Sequence, residues 1–220
     1  MDTRQQSLDT LKEIRTMMER SSRFISLSGW SGVAAGICAL VGAWFGNSVI
    51  DRSKVDHDSL RKHYGADDSL VGQPINIRDY MGSQLLQIAV ITLTAAILLA
   101  FFFTYLKSKK SGTPLWGIAA RRLSVSMLVP MAIGGLYLLK LMQAGAFGLI
   151  APGCLLFYGL ALVNASKYTL GEIKWLGYAQ LITGTICLFY PGYGIYFWAF
   201  GFGVLHIVYG MVMWFRYERN

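Results

Sequence analysis

The sequence predicts an all-α membrane protein with six transmembrane helices and an N-terminal cytoplasmic amphipathic helix. Hydrophobic residues make up 54% of the chain and charged residues only 15%, whereas about a quarter of a soluble domain is charged. Six stretches are each long and apolar enough to cross a bilayer core of about 30 Å, which takes roughly 20 helical residues. Basic residues also alternate in density between these stretches, as they do in multi-pass proteins.

Residues 1–23 are predicted to form a short amphipathic helix before a membrane domain of residues 24–220. Apolar side chains recur there every three or four residues, which gathers them on one side of a helix. One interpretation places this helix in the headgroup plane or under the bundle. The other docks its apolar stripe onto a cytoplasmic partner, or onto the same helix of a second subunit. The stripe contains Leu8, Leu11, Ile14 and Met18.

Six spans follow, and polar residues interrupt some of them. The third carries Pro130 and ends near Lys140, whose ammonium can reach the extracytoplasmic headgroups along its alkyl chain. The fourth and fifth contain Asn164 and Gln180, which are suited to hydrogen bonds between helices. The predicted spans are residues 24–46, 84–106, 123–141, 147–166, 173–190 and 195–215.

The distribution of positive charge predicts the orientation. With the spans numbered in order, the segments on one side of the membrane carry 14 of the 20 Lys and Arg residues. Because these residues accumulate in cytoplasmic segments, both termini are predicted to lie in the cytoplasm, beneath a bacterial inner membrane. Attraction to anionic lipid accounts for the net charge of +8, so nucleic-acid binding is excluded.

Residues 47–83 form the only sizeable polar region and are predicted to be an extracytoplasmic loop. Imidazoles and carboxylates such as His57, His63, Asp56 and Asp58 could together bind a divalent cation. Their spacing matches no established metal motif, however. A solvated loop with some helical extension of the first span is therefore predicted, without a metal.

An ionisable group inside a span is a functional candidate, because its burial costs several kcal/mol unless it is paired or hydrated. His206, near the middle of the sixth span, can hydrogen-bond a neighbouring helix, accept a proton or ligate a metal. No span contains Asp or Glu, which argues against a proton-coupled carrier. The sequence also lacks a nucleophile paired with a base and a nucleotide-binding loop. We therefore predict no enzyme, no cofactor and a structural hydrogen bond from His206.

Glycines predict where helices approach closely, because small residues let backbones touch. An offset of 51 residues superposes Tyr158 and Gly159 on Tyr209 and Gly210. A similar offset relates the third span to the fifth, which predicts three helical hairpins derived from one unit. The glycines predicted to pack helices are Gly29, Gly32, Gly36, Gly134, Gly159, Gly184, Gly203 and Gly210.

The last hairpin resembles the repeat of the HdeD-like acid-resistance membrane proteins. The resemblance rests on Gly177, Gly184, Pro191, Gly201, Gly203 and Gly210 around a short turn. The whole chain is also similar to a group of uncharacterised bacterial six-span membrane proteins. The shared features are a LINASKYTL-like junction at residues 162–170 and an FPGYG-like turn at residues 190–194. These resemblances imply six spans in three pairs and no assigned activity.

The predicted function is that of a non-enzymatic inner-membrane protein, a stress- or envelope-associated scaffold or signalling partner. It would convey the state of the membrane to a cytoplasmic protein through residues 1–23, with membrane lipid and a second copy of the chain as further partners. The alternative is a small-solute channel or carrier gated near His206 or Gln180. A third hypothesis is an enzyme or cofactor carrier that uses His206.

Overall fold

The computed structural model describes residues 28–64, 77–112 and 116–219, and this part of the chain is all-helical, as predicted. The predicted amphipathic helix of residues 1–23 lies outside it. Six main helices follow one another. They are α1 (Gly29–Tyr64), α2 (Ile77–Ser111), α3 (Ile118–Gln143), α4 (Ile150–Ala165), α5 (Ile173–Leu188) and α6 (Gly194–Tyr217).

Three short segments depart from α-helical geometry. Two 3-10 turns flank α4, at Phe147–Leu149 and Ser166–Tyr168. The third departure lies inside α6, where π-helical Ala199–Val204 separates α-helical Gly194–Trp198 from α-helical Leu205–Tyr217.

Five of the helical segments are long and apolar enough to cross a membrane. The outer two, in α2 and α3, leave almost all of their apolar side chains on the molecular surface, with 0% and 6% of their most apolar windows buried. Contiguous apolar surface of this extent is rare on soluble monomers. The five segments are Gly29–Arg52, Gly82–Lys110, Ile118–Gln143, Phe147–Tyr168 and Gly194–Tyr217.

The predicted fifth span, residues 173–190, is shorter in the structure than in the prediction. α5 has 16 residues and ends at Leu188, which gives a length of about 24 Å at about 1.5 Å per residue. Pro191 disfavours helical backbone at Tyr190, and Gly192 then adopts a φ of +96°. The described part of the chain therefore has five helices of spanning length and one shorter apolar helix.

The predicted loop of residues 47–83 is largely helical. α1 continues to Tyr64 and has 36 residues, so it is about 54 Å long and exceeds a bilayer core. Residues 47–64 contain neither Gly nor Pro, so nothing in this stretch breaks the helix. Asn47 Nδ2 also donates to Asp51 Oδ2 one turn on, at 2.8 Å. The side chains of His57, His63, Asp56 and Asp58 lie outside the described part of the structure, so the absence of a metal there stays a prediction.

The helices pack in the order α2, α1, α6, then α4 with α5, and finally α3. These neighbours are antiparallel, except that α4 and α6 run parallel. α6 packs both on α1 and on the α4–α5 pair. α5 packs mainly on α4 rather than on α6, so the hypothesis of three hairpins stays a prediction. The buried core lies around α4, α5 and α6 and contains Leu162, Ile173 and Leu176, with Met127, Tyr158, Leu205 and Tyr209 packed against it.

One end of the bundle collects most of the described basic side chains, and we name it the basic end. Here the Gly29 N–H donates to Glu218 Oε1 at 2.7 Å, and Lys107 Nζ binds the same oxygen at 2.9 Å. A carboxylate is favourable at a helix N-terminus, so Glu218 joins α1, α2 and α6. The basic end carries Lys107, Lys109, Lys110, Arg121, Arg122, Lys167, Lys174, Arg216 and Arg219.

Candidate functional site: a polar node between three helices

Glycines bring α1 and α6 into backbone contact. A Cβ added to Gly36 would lie 2.7 Å from the Gly203 carbonyl oxygen, and one added to Gly210 would lie 2.6 Å from that of Gly29. A Cβ on Gly32 would lie 3.1 Å from Gly210 Cα. Because the neighbouring atoms are backbone, no side-chain rotation could relieve these contacts. The α1–α6 distance therefore depends on these five glycines.

A second set of glycines positions α4. Gly159 and Gly177 face each other across α4 and α5, and a Cβ on either would lie 3.0 Å from the other's carbonyl oxygen. Gly184 of α5 and Gly134 of α3 lie directly against side chains of α4. α4 is thereby held between α3 and α5, with Tyr158 directed towards α6, where it reaches His206.

The π-helical segment of α6 frees one backbone carbonyl for other donors. The Leu205 N–H would bind the Gly201 oxygen in an α-helix, but it donates to Phe200 instead. The Gly201 oxygen accepts two side-chain donors, Gln180 Nε2 at 2.7 Å and His206 Nδ1 at 3.1 Å. Two of the predicted polar residues therefore meet at one carbonyl.

The contact with Gly201 determines which nitrogen of His206 carries the proton. A carbonyl oxygen only accepts, so Nδ1 must be the donor, and in the neutral ring Nε2 is then an acceptor. Tyr158 donates its hydroxyl proton to Nε2, with an O···N distance of 2.8 Å. We name Tyr158, Gln180, Gly201 and His206 the polar node. It links α4, α5 and α6 through three hydrogen bonds.

The polar node is buried and contains an unused acceptor. Gln180 is 0% and His206 7% exposed. Gln180 Oε1 has no hydrogen-bond partner, and neither has the nearby buried hydroxyl of Tyr209. A Cβ at Gly201 would lie 2.6 Å from Gln180 Oε1, so only glycine leaves room for this amide. The polar node can thus hold α4, α5 and α6 together. Its Gln180 Oε1 is also available as an acceptor for the hydrogen-bond donor of a small molecule.

Asn164 stabilises a different helix irregularity, the proline inside α3. Pro130 has no N–H and so cannot donate to the carbonyl of Ser126, four residues earlier in α3. Asn164 Nδ2 of α4 donates to that oxygen at 3.0 Å. Such replacement donors are how membrane helices tolerate proline. Asn164 therefore belongs to the α3–α4 contact and not to the polar node.

We expect Asn164→Ala to lower the free energy of unfolding by about 1 kcal/mol, because the Ser126 carbonyl then loses its donor. In Pro130→Ala, residue 130 regains an N–H for that carbonyl, so Asn164→Ala should cost less than half as much. Detergent-solubilised protein unfolded with a denaturing detergent measures both values. Thr185→Ala is the control, since its hydroxyl binds a carbonyl within its own helix. Equal losses in both backgrounds would contradict the role of Asn164.

The remaining predicted residues lie away from the polar node. Lys140 is exposed near the end of α3, where its Nζ donates to Gln143 Oε1 at 2.9 Å. Leu8, Leu11, Ile14 and Met18 lie outside the described residues.

Sequence reasoning missed the role of Tyr158 and of Gly201. Trp198, Phe202 and His206 recur every four residues, and their rings form a row on one face of α6, with centroids 5.2 and 6.1 Å apart. Tyr158 stacks on His206 at 5.4 Å. The four-residue spacing was the available signal for an aromatic face. Comparison of the chain with protein families, with curated proteins and with solved structures gave no match.

Proposed function

We propose that this protein is a multi-pass membrane protein that crosses a bacterial inner membrane six times, with its basic end in the cytoplasm. Three observations support this proposal. Five helices have spanning length and composition, and α5 runs antiparallel to α4 along its length. The helices expose large apolar side chains, such as Ile91 and Leu98 at 68% and 65%. Described basic side chains also collect at one end, as cytoplasmic segments do.

The role that the geometry supports best is a non-enzymatic scaffold. Two of its interior polar side chains, Asn164 and Gln180, donate to backbone carbonyls that helix irregularities release, at Ser126 and Gly201. The α1–α6 and α4–α5 pairs approach to backbone contact, which leaves no passage between their backbones. This use of interior polar groups for packing is the observation that carries the proposal. We further propose that residues 1–23 convey the state of the membrane to a cytoplasmic partner of a stress or envelope response.

The contact role of residues 1–23 is testable with one matched pair of variants. Leu11→Asp places a charge in the apolar stripe, whereas Thr16→Asp places the same charge on the polar side of the predicted helix. We expect proteins co-purified with the tagged full-length chain to be lost in Leu11→Asp and kept in Thr16→Asp. If Leu11→Asp keeps every partner, or if a deletion of residues 1–20 keeps every partner, the contact role is wrong. Labelling of terminal tags in intact cells tests the orientation separately.

One observation favours the second candidate, a small-solute channel or carrier. Gln180 Oε1 and the Tyr209 hydroxyl are buried without partners, and a moving solute or proton could use them. Liposomes that contain the protein would then show proton flux, read with a pH-sensitive dye, or glycerol flux, read by light scattering. His206→Ala should abolish this flux, and Asn164→Ala should keep it. If liposomes with the native protein show no more flux than liposomes without protein, the scaffold is the better proposal.

A further inference from the structure

Four exposed cations lie on three neighbouring elements at the basic end, and we name Arg121, Arg122, Lys167 and Lys174 the basic corner. Arg121 and Arg122 lie in the first turns of α3. Lys167 lies in the 3-10 turn of residues 166–168, which packs on α3. Lys174 is the second residue of α5, a few residues further along the chain. The three elements that carry these charges all pack on α4 at the same end of the bundle.

The carboxylates at the basic end are already engaged with other cations. Glu218 binds Lys107 at 2.9 Å. Glu172 binds Arg216 at 3.1 Å and accepts the Tyr217 hydroxyl at 2.7 Å. Within the described part of the chain, the basic corner therefore has no carboxylate partner. Like charges held close together raise the local potential and attract an anion.

Exposed apolar side chains adjoin the basic corner along α3 and α5. Ile118 and Val125 of α3 are 74% and 55% exposed, and Trp175 of α5 is 68% exposed. The Lys174 ammonium lies 5.5 Å from the centre of the Trp175 ring, an arrangement suited to the headgroup layer, where indoles and lysines concentrate. A ligand of this surface therefore needs an anionic head and an apolar body.

We propose that the basic corner is a binding site for an anionic phospholipid. The phosphates of the headgroup contact the four cations, and the acyl chains lie along the exposed sides of α3 and α5. Basic surfaces between membrane helices on the cytoplasmic side recognise such headgroups. Free phosphate would gain only the charge interaction and so would bind less well. The proposal rests on the proposed membrane location.

The test compares two double variants of the full-length protein in a neutral detergent. Arg121→Gln with Lys167→Gln removes two charges from the basic corner. Lys109→Gln with Lys110→Gln removes two charges from the end of α2, which packs mainly on α1. The probes are cardiolipin, phosphatidylglycerol, phosphatidylethanolamine and inorganic phosphate, and the readouts are native mass spectrometry and the melting temperature. We expect cardiolipin affinity to fall about tenfold or more in the corner variant only.

Two results would overturn the lipid site. Equal losses in both double variants would mean that the whole basic end attracts anions without a site. An equal response to inorganic phosphate or to phosphatidylethanolamine would mean that the corner does not select an anionic lipid. Carbonate washing of the cell membranes separates this failure from that of the proposed function. A chain released by carbonate contradicts the membrane location, whereas a retained chain without lipid selectivity contradicts only the site.

Discussion

Gly210→Ala is expected to lower the free energy of unfolding by about 1–3 kcal/mol, through overpacking at the α1–α6 contact. The new methyl group would lie 2.6 Å from the Gly29 carbonyl oxygen and 2.6 Å from the Val33 nitrogen. Both atoms are backbone, so the two helices must separate along the contact to accommodate it. Unfolding of the detergent-solubilised protein by a denaturing detergent measures the loss. Cross-linking of cysteines placed on α1 and α6 reports the separation.

Gly135→Ala on α3 is the matched control for this prediction. A Cβ at Gly135 meets no atom within 4 Å, while the gain in helix propensity from Gly to Ala is the same at both positions. The control should therefore be neutral or slightly stabilising. If Gly210→Ala behaves like the control, the close approach of α1 and α6 is not a determinant of stability, and the scaffold proposal loses the support of this contact.

The effect of Tyr158→Phe on the free energy of unfolding is expected to depend on the residue at position 206. In the native background this substitution removes the donor to His206 Nε2 and should cost about 1 kcal/mol. His206→Leu alone should cost about 1–3 kcal/mol, because the Gly201 carbonyl loses one donor and the Tyr158 hydroxyl loses its acceptor. In His206→Leu, Tyr158→Phe then removes a hydroxyl that has no acceptor, so the second change should be neutral or stabilising.

The same unfolding measurement is made on the native protein, on each single variant and on the double variant. Tyr137→Phe on α3 is the control, since Tyr137 is 51% exposed and should contribute little in either background. His206→Asn, whose amide can still donate to Gly201, should lose less stability than His206→Leu. Additive losses for Tyr158→Phe and His206→Leu would mean that the two side chains do not stabilise the bundle as a pair.

Local features of the sequence were sufficient to predict the helices and the glycines at their contacts. Gly32 and Gly36 lie about one turn apart, so they share a helix face whatever that face meets. Which helix they meet could not be read locally, because Gly203 and Gly210 are far away along the chain. The prediction therefore named the residues of the α1–α6 contact without pairing them.

The polar side chains show the limit of sequence reasoning more clearly. His206, Gln180 and Asn164 were predicted as intramembrane polar candidates from their position alone. Pro130 signalled that the Ser126 carbonyl would lack a donor, but nothing near it in the sequence identified Asn164 as the replacement. The π-helical segment was not predicted at all, because a shift of the backbone hydrogen bonds by one residue requires no distinctive amino-acid composition.

The sequence by itself determined that this chain is helical, that its helices are long and apolar, and that its basic residues alternate between them. These properties depend on local composition and periodicity, which each segment carries independently of its neighbours. The tertiary structure alone decided that α6 lies between two helix pairs and that Tyr158, Gln180 and His206 meet at the Gly201 carbonyl. The physical reason is that a buried backbone group must find a partner somewhere, and only the packing of distant helices selects which side chain can reach it.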